Sequence, residues 1–197
     1  MANDGTVETD RMRLRRLTAA DDGDLLALHN DAEVMHYLTG GRGALLETIR
    51  SETLPRMVGY HERRAGLGYW AAIERSSGSF LGWFALTDEG DAGVSSARGV
   101  ELGYRLCRSA WGRGYATEGA RALIRVCFTE LGVRRVFAHT MTVNLRSRRV
   151  MEKAGLAHVR TYFEDWPDPI EGSEQGEVEY ELRVEDWRRD GGKGWPE

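Results

Sequence analysis

The chain has 197 residues, which is long enough for one domain with a hydrophobic core and short for two. Its formal net charge of -4 argues against general nucleic-acid binding, and no apolar run approaches the ~20 residues that cross a bilayer. The first residues lack the apolar segment of a signal peptide, and Cys107 and Cys127 match no metal or disulfide pattern. We therefore expect a cytoplasmic protein that needs no metal.

The spacing of apolar residues predicts one α+β domain over 11–189, with the element order β-α-α-β-β-β-α-β-α-β-β. A disordered lead-in (1–10) and a frayed tail (190–197) are expected to flank it. Thr18, followed three residues later by Asp21, is typical of a helix start, and Pro55 is expected to kink or break a helix. The predicted strands are 11–17, 69–74, 80–86, 100–107, 135–141, 157–163 and 177–184; the predicted helices are 18–38, 45 onwards, 116–131 and 147–154.

The segment RSAWGRGYATE, residues 108–118, joins a predicted strand to the most regular predicted helix. A helix start offers unpaired N–H groups and the positive end of a dipole, which suit a phosphate. Gly112 and Gly114 would let the backbone approach an anion, and Arg108 and Arg113 add positive charge. A plain tight turn with solvent-facing arginines is the alternative.

Two common phosphate motifs do not fit this segment. A dinucleotide fingerprint needs a third glycine where Thr117 stands, and an acidic residue about twenty positions on, where the chain has Arg134 and Arg135. A P-loop needs Gly-Lys-Ser/Thr, which is not present in the segment. These two nucleotide-binding motifs are therefore excluded, and the plain tight turn stays open as the alternative to a phosphate site.

The run 101–156 contains WGRGYATE and, about thirty residues later, NLRSRRVMEKAGL. It closely resembles the core of the GNAT superfamily, in the branch of ribosomal-protein N-terminal acetyltransferases. The flanks TDRMRLRRLTAADDGDL, GYWAAIER and YELRVEDWR also fit, so the resemblance covers nearly the whole chain. It implies an α+β fold: a mixed, mostly antiparallel sheet that splays between two central strands, flanked by helices, with acetyl-CoA in the opening.

The resemblance also implies how acetyl-CoA is held. The backbone from Gly112 to Thr117 would bind the pyrophosphate, although Trp111 replaces the family's usual Gln or Arg. The strand end would pair with the pantetheine amides, and Asn144 would contact the same arm while also suiting a helix N-cap. The implied set is Leu106, Cys107, Arg108, Gly112, Arg113, Gly114, Tyr115, Ala116, Thr117 and Asn144.

Direct attack of an amine on the thioester needs an exit for one proton and a partner for the leaving thiolate. Glu101 is the candidate base, acting directly or through water, although it could simply pair with a basic neighbour. Met151 stands where many relatives carry a proton-donating tyrosine, so Ser147, a water or no donor at all would serve the thiolate. Because an α-amine (pKa ~7.8) is neutral far more often than a lysine amine (pKa ~10.4), an α-amine acceptor is favoured.

The resemblance places the acceptor, a protein N-terminus or a small amine, against the segments 36–43 and 164–176, where Tyr37 and Trp166 could line the entrance. The second segment is acidic and would attract a cation. We expect a monomer or homodimer that binds neither nucleic acid nor membrane. Two alternatives stay open: a CoA-binding module without turnover, and another acyl donor such as succinyl-CoA. Arginines in the acceptor cleft, with Arg105 and Arg146 available, would indicate the latter.

Overall fold

A computed structural model describes residues 5–88 and 99–189, which contain one eight-stranded sheet with the order β1-β2-β3-β4-β5-β6-β8-β7. The strands are β1 (Val7–Glu8), β2 (Met12–Arg16), β3 (Gly68–Glu74), β4 (Phe80–Asp88), β5 (Val100–Leu106), β6 (Arg135–Met141), β7 (Ala157–Tyr162) and β8 (Glu177–Arg183). The helices are α1 (Asp22–His29), α2 (Ala32–Thr39), α3 (Leu46–Thr48), α4 (Leu54–Arg63), α5 (Tyr115–Thr129), α6 (Leu145–Lys153) and α7 (Val184–Arg189).

All neighbouring strands run antiparallel except the central pair β5 and β6, which is parallel. This pair is joined only at its start, where Val100 faces Val136 and Glu101 faces Phe137. Beyond Glu101 the two strands diverge, while β5 stays paired with β4 as far as Leu106. The predicted fold, a mixed and mostly antiparallel sheet that opens between two central strands, is confirmed.

Helices cover both faces of the sheet. On one face α5 packs on the sheet, and Leu102 and Leu106 of β5 share a core with Leu123 and Ile124 of that helix. A Cβ atom at Gly119 would lie 2.3 Å from the ring of Phe84, so α5 sits very close to β4.

On the other face, helices α1 and α4 pack on β4 and β3. Their buried side chains form a second, smaller core that includes Leu25, Met57 and Ala71. Because side chains alternate along a strand, Glu101, Gly103 and Arg105 of β5 face this second side.

Three local expectations need correction. Residues 5–10 are not a disordered lead-in, because Val7 and Glu8 form β1 and pair with Leu14 and Arg13 of β2. Pro55 does not break the helix: it lies in the first turn of α4, where no N–H is required, directly after a π-helical segment over Ile49–Thr53. The sequence pattern also missed α7. Residues 1–4, most of the predicted loop 88–98, and the tail 190–197 lie outside the described residues.

Candidate functional site

The opening between β5 and β6 leaves backbone groups of β5 without a strand partner. The Cys107 N–H donates to the Leu81 carbonyl of β4 at 2.9 Å. Since N–H groups alternate in direction along a strand, those of Tyr104 and Leu106 point the other way, into the opening. Cys107 was expected to pair with the pantetheine amides, but its backbone N–H faces β4 instead. The backbone N–H groups of β5 that point into the opening belong to Tyr104 and Leu106.

The loop that follows ends at the N-terminus of α5. Gly112 and Gly114 have φ values of +71° and +85°, a left-handed conformation that glycine adopts without strain. Among the described residues, no acceptor bonds to the backbone N–H groups of residues 112–117. These consecutive donors at the positive end of a 15-residue helix form a candidate anion site, since such arrays can bind phosphates.

Trp111 fixes the path of this loop. Its indole N–H donates to the Leu106 carbonyl at 2.8 Å, and the guanidinium of Arg146 lies 5.0 Å from the ring centroid. Arg11, the residue before β2, supports the same loop, because it donates to the Arg113 carbonyl at 2.8 Å and pairs with Glu118. The sequence pattern identified neither role, since both contacts depend on the folded loop.

The two arginines of the loop point their charges elsewhere. Arg108 forms an ion pair with Glu33 at 2.9 Å, and Arg113 pairs with Glu74 at 3.3 Å. Tyr115 is buried and its hydroxyl also bonds to Glu74. The anion site of the loop is therefore built mainly from backbone groups.

Three side chains line the junction of β5 and α6. Asn144 caps α6 as predicted: its Oδ1 accepts from the Ser147 N–H at 3.2 Å, and its Nδ2 donates to Thr140. The hydroxyl of Tyr104, which sequence reasoning missed, lies 3.0 Å from the Ser147 hydroxyl. Burial raises the pKa of Tyr104 well above its ordinary value, so it carries a neutral hydroxyl. Met151 is buried.

Glu101 lies where β5 and β6 separate and faces a histidine. Its Oε1 is 3.8 Å from Nδ1 of His139, and Nε2 of the same ring is 3.6 Å from Oε2 of Glu179. Burial lowers the pKa of His139, but the two carboxylates outweigh it and leave that pKa above its ordinary value. Glu101 thus keeps a pairing with a basic neighbour, and its side chain is still 38% exposed.

A cavity of about 390 Å³ lies on the same face of β5, between the strands β3, β4 and β5 and the helices that cover them. Tyr37 and Trp166 do not line it; Tyr69 and Trp83 supply its aromatic surface. Segment 36–43 contributes through Thr39, Arg42 and Gly43, whereas 164–176 reaches the site only through an ion pair of Asp168 with Arg42. The full lining is His29, Met35, Thr39, Arg42, Gly43, Ala44, Thr53, Arg56, Met57, Tyr69, Trp83 and Arg105.

Residues 5–88 and 99–189 contain neither a metal-binding cluster nor a membrane-spanning helix. Within these ranges no group of three or more His, Cys, Asp or Glu side chains is arranged to hold a metal ion. None of the helices described there is both long enough and apolar enough to span a bilayer.

Comparisons with known proteins agree with this geometry. The Acetyltransferase (GNAT) domain family matches residues 11–157. A curated relative from Aspergillus fumigatus, FsC-acetyl coenzyme A-N(2)-transacetylase, is 35% identical over 188 residues, which are 93% of this chain and 78% of the relative.

Two solved structures from Vibrio cholerae share the fold. A protein with a suggested ribosomal-protein-serine acetyltransferase activity has a TM-score of 0.72 at 18% identity, covering 93% of this chain and 99% of that one. Spermidine N-acetyltransferase, solved with CoA and spermine, has a TM-score of 0.71 at 15% identity, covering 90% and 98%. At these identities the likeness concerns the fold.

The position of His139 between two carboxylates predicts a pH-dependent stability. A folded-state pKa above the unfolded one contributes stability that is fully present below the unfolded value of ~6.5 and is lost as the pH rises through the folded value. Replacing His139 with Gln should therefore lower the free energy of unfolding more at pH 5.5 than at pH 9, as urea titrations at both pH values would measure.

The matched control is His158→Gln. His158 is exposed on β7, and no carboxylate of the described residues lies within ion-pair distance of its ring. Its replacement should change stability equally at both pH values. An equal loss at both pH values for the His139 variant would contradict the proposed charge pairing.

Proposed function

Because the chain belongs to the GNAT family of acetyltransferases, we propose that it moves the acetyl group of acetyl-CoA to a primary amine by direct attack while both substrates are bound. The chain is a GNAT-type N-acetyltransferase. The direct attack with both substrates bound and the nature of the acceptor are what we propose. A cytoplasmic location and a monomeric or dimeric state stay predictions of the sequence.

The array of free N–H groups over residues 112–117 is the observation that carries this proposal. A pyrophosphate is a doubly charged acceptor that fits such an array, and the N–H groups of Tyr104 and Leu106 are oriented to pair with amides in the opening. Asn144 would contact the same arm only through the part of its amide that α6 leaves free.

Acetyl-CoA supplies an acyl carbon activated by its thioester. The amine nitrogen bonds to this carbon, the carbon–sulfur bond breaks, and CoA leaves as its thiolate. Glu101, which lies beside His139, accepts the proton that the attacking nitrogen loses, directly or through water. Free N–H groups of β5 in the opening would stabilise the negative charge that develops on the carbonyl oxygen.

The hydroxyl of Ser147 is the group we assign to the leaving sulfur, in place of the tyrosine that Met151 replaces. Its hydrogen bond with Tyr104 orients it and connects it to a second neutral hydroxyl. The Ser147 hydroxyl would donate a hydrogen bond to the departing thiolate, which takes its proton from solvent water after release. A thiol pKa near ~8.5 makes the thiolate a fair leaving group, so this donor contributes less than the base.

A small molecule is the acceptor that we favour over a protein N-terminus. The cavity of about 390 Å³ is in the lower part of the range for small-ligand sites. The relative from Aspergillus fumigatus is described as transferring acetyl to an N(2) nitrogen, which is consistent with a small amine. A protein terminus would have to enter the same cavity with its first residue.

Replacing Gly112 with Val tests the anion site. The position has φ +71°, so a β-branched residue should move the backbone and misalign the N–H array. We expect acetyl-CoA to bind at least about tenfold more weakly by calorimetry, since a charge-assisted hydrogen bond contributes ~1.5–3 kcal/mol. Gly132 is a matched control: its φ is +66°, and an added Cβ meets open space at both glycines. Equal affinity in the Gly112 and Gly132 variants would contradict the assignment.

Replacing Glu101 with Gln tests the base. The amide keeps the size of the side chain but accepts no proton, so kcat should fall by about 10²-fold or more in an assay of CoA thiol release. The affinity for acetyl-CoA should stay unchanged. Glu130→Gln, on an exposed residue after α5, is the control and should keep full turnover. An unchanged kcat in the Glu101 variant would remove this residue from the reaction.

A further inference from the structure

The cavity beside β5 contains a partly buried cation, Arg105, with no counter-charge among the described residues. Arg105 donates from Nη1 to Nε2 of His29 at 2.9 Å, and its guanidinium lies 5.2 Å from the ring centroid of Trp83. Burial lowers the pKa of Arg105 to about 10, so the side chain stays charged at neutral pH. No carboxylate in residues 5–88 or 99–189 lies within ion-pair distance of it.

The neighbour of Arg105 cannot supply the missing negative charge. His29 accepts a hydrogen bond and is therefore neutral; burial and then the Arg105 cation lower its pKa to about 4. The Arg105 Nε and the Trp83 Nε1 are buried donors with no acceptor in the part of the chain that the structure describes. Buried donors and buried charges are normally satisfied, and exceptions indicate a missing partner.

The rest of the cavity has the same charge preference. Arg42 and Arg56 also line it, and among the described residues of its lining none is acidic. Arg42 is already paired with Asp168, whereas Arg56 has no ion-pair partner among the described residues. Arg105 and Arg56 thus bring two positive charges to the lining of this cavity, and neither has an ion-pair partner among the described residues.

Arg105 lies on the face of β5 that also carries Glu101. Arg105 lies four positions after Glu101, which places their Cα atoms roughly 13 Å apart along the strand. A molecule held at Arg105 through a negative group would extend along the same face toward Glu101.

We propose that this cavity binds a carboxylate, held by the guanidinium of Arg105 with Arg56 beside it, and that the carboxylate belongs to one of the two reactants. The proposal rests on the acyl transfer proposed above. The carboxylate has two sources: an acceptor amine of the amino-acid type, or a dicarboxylic acyl group such as that of succinyl-CoA. A planar carboxylate matches the paired N–H groups of a guanidinium.

Calorimetry on the full chain, without any transfer reaction, tests this proposal. One arm compares a panel of N-acetyl amino acids with the matching N-acetyl amino acid amides, and the other compares succinyl-CoA with acetyl-CoA. At least one arm should show about tenfold or greater preference for the carboxylate, and that arm identifies its source. Equal affinities in both arms would overturn the proposal.

The variants are Arg105→Met, Arg56→Met and, as a control, Arg125→Met on an exposed position of α5. The preference should disappear in the first, decrease in the second and persist in the third. A preference that survives Arg105→Met would overturn the proposal. If Arg105→Met does not fold, the Arg56→Met variant on an exposed position tests the proposal instead. A carboxylate preference that is unchanged in this variant would then overturn the proposal.

The affinity for CoA separates this proposal from the acyl transfer on which it rests. CoA should bind all of the variants equally, because the anion site of the loop does not include these arginines. If the wild-type chain binds a carboxylate but not CoA, the proposed function fails while the carboxylate site stands. If it binds CoA without any preference for a carboxylate, the carboxylate site fails while the proposed function stands.

Discussion

The divergence of β5 from β6 is the constraint on which the rest of the site depends. Parallel pairing ends after Glu101, so the edge of β5 beyond it has backbone donors and acceptors without a strand partner. Such groups are costly when buried and therefore persist where a ligand completes them. The same divergence lets the Tyr104 hydroxyl reach Ser147 on α6, and it leaves Glu101 at the point where the opening begins.

The face of β5 that carries Glu101 has two electrostatic environments. Near the strand separation, Glu101 and Glu179 surround His139, and this region can accept a proton. Further along, Arg105 and the cavity beside it carry positive charge with no acidic residue in the described lining. An amine with a carboxylate at its other end would match this order of charges, as would an amine that meets a dicarboxylic acyl group. Opposite charges at a fixed spacing therefore select a substrate through its length as well as its charge.

Local sequence patterns predicted seven of the eight described strands, the long helix α5 and the glycine loop, because each depends on neighbouring residues along the chain. The family was also identified correctly from the spacing of its two motifs. The contacts that complete the site depend on residues distant in sequence: Tyr104 reaches Ser147, Arg105 reaches His29, and Arg11 reaches the loop. No periodicity encodes such pairs. Arg108 and Arg113 were expected near the anion because the sequence does not show their distant partners. The fold pairs them with Glu33 and Glu74 instead.

Hydrogen exchange of individual backbone amides, with and without acetyl-CoA, tests the central claim most directly. If the backbone of residues 112–117 binds the pyrophosphate, acetyl-CoA should slow exchange of these amides, which have no acceptor among the described residues. Amides of the turn at Gly132, which has a similar glycine conformation, should exchange at the same rate in both states. Acetyl-CoA that binds and protects other amides, but leaves those of 112–117 unchanged, would contradict this account.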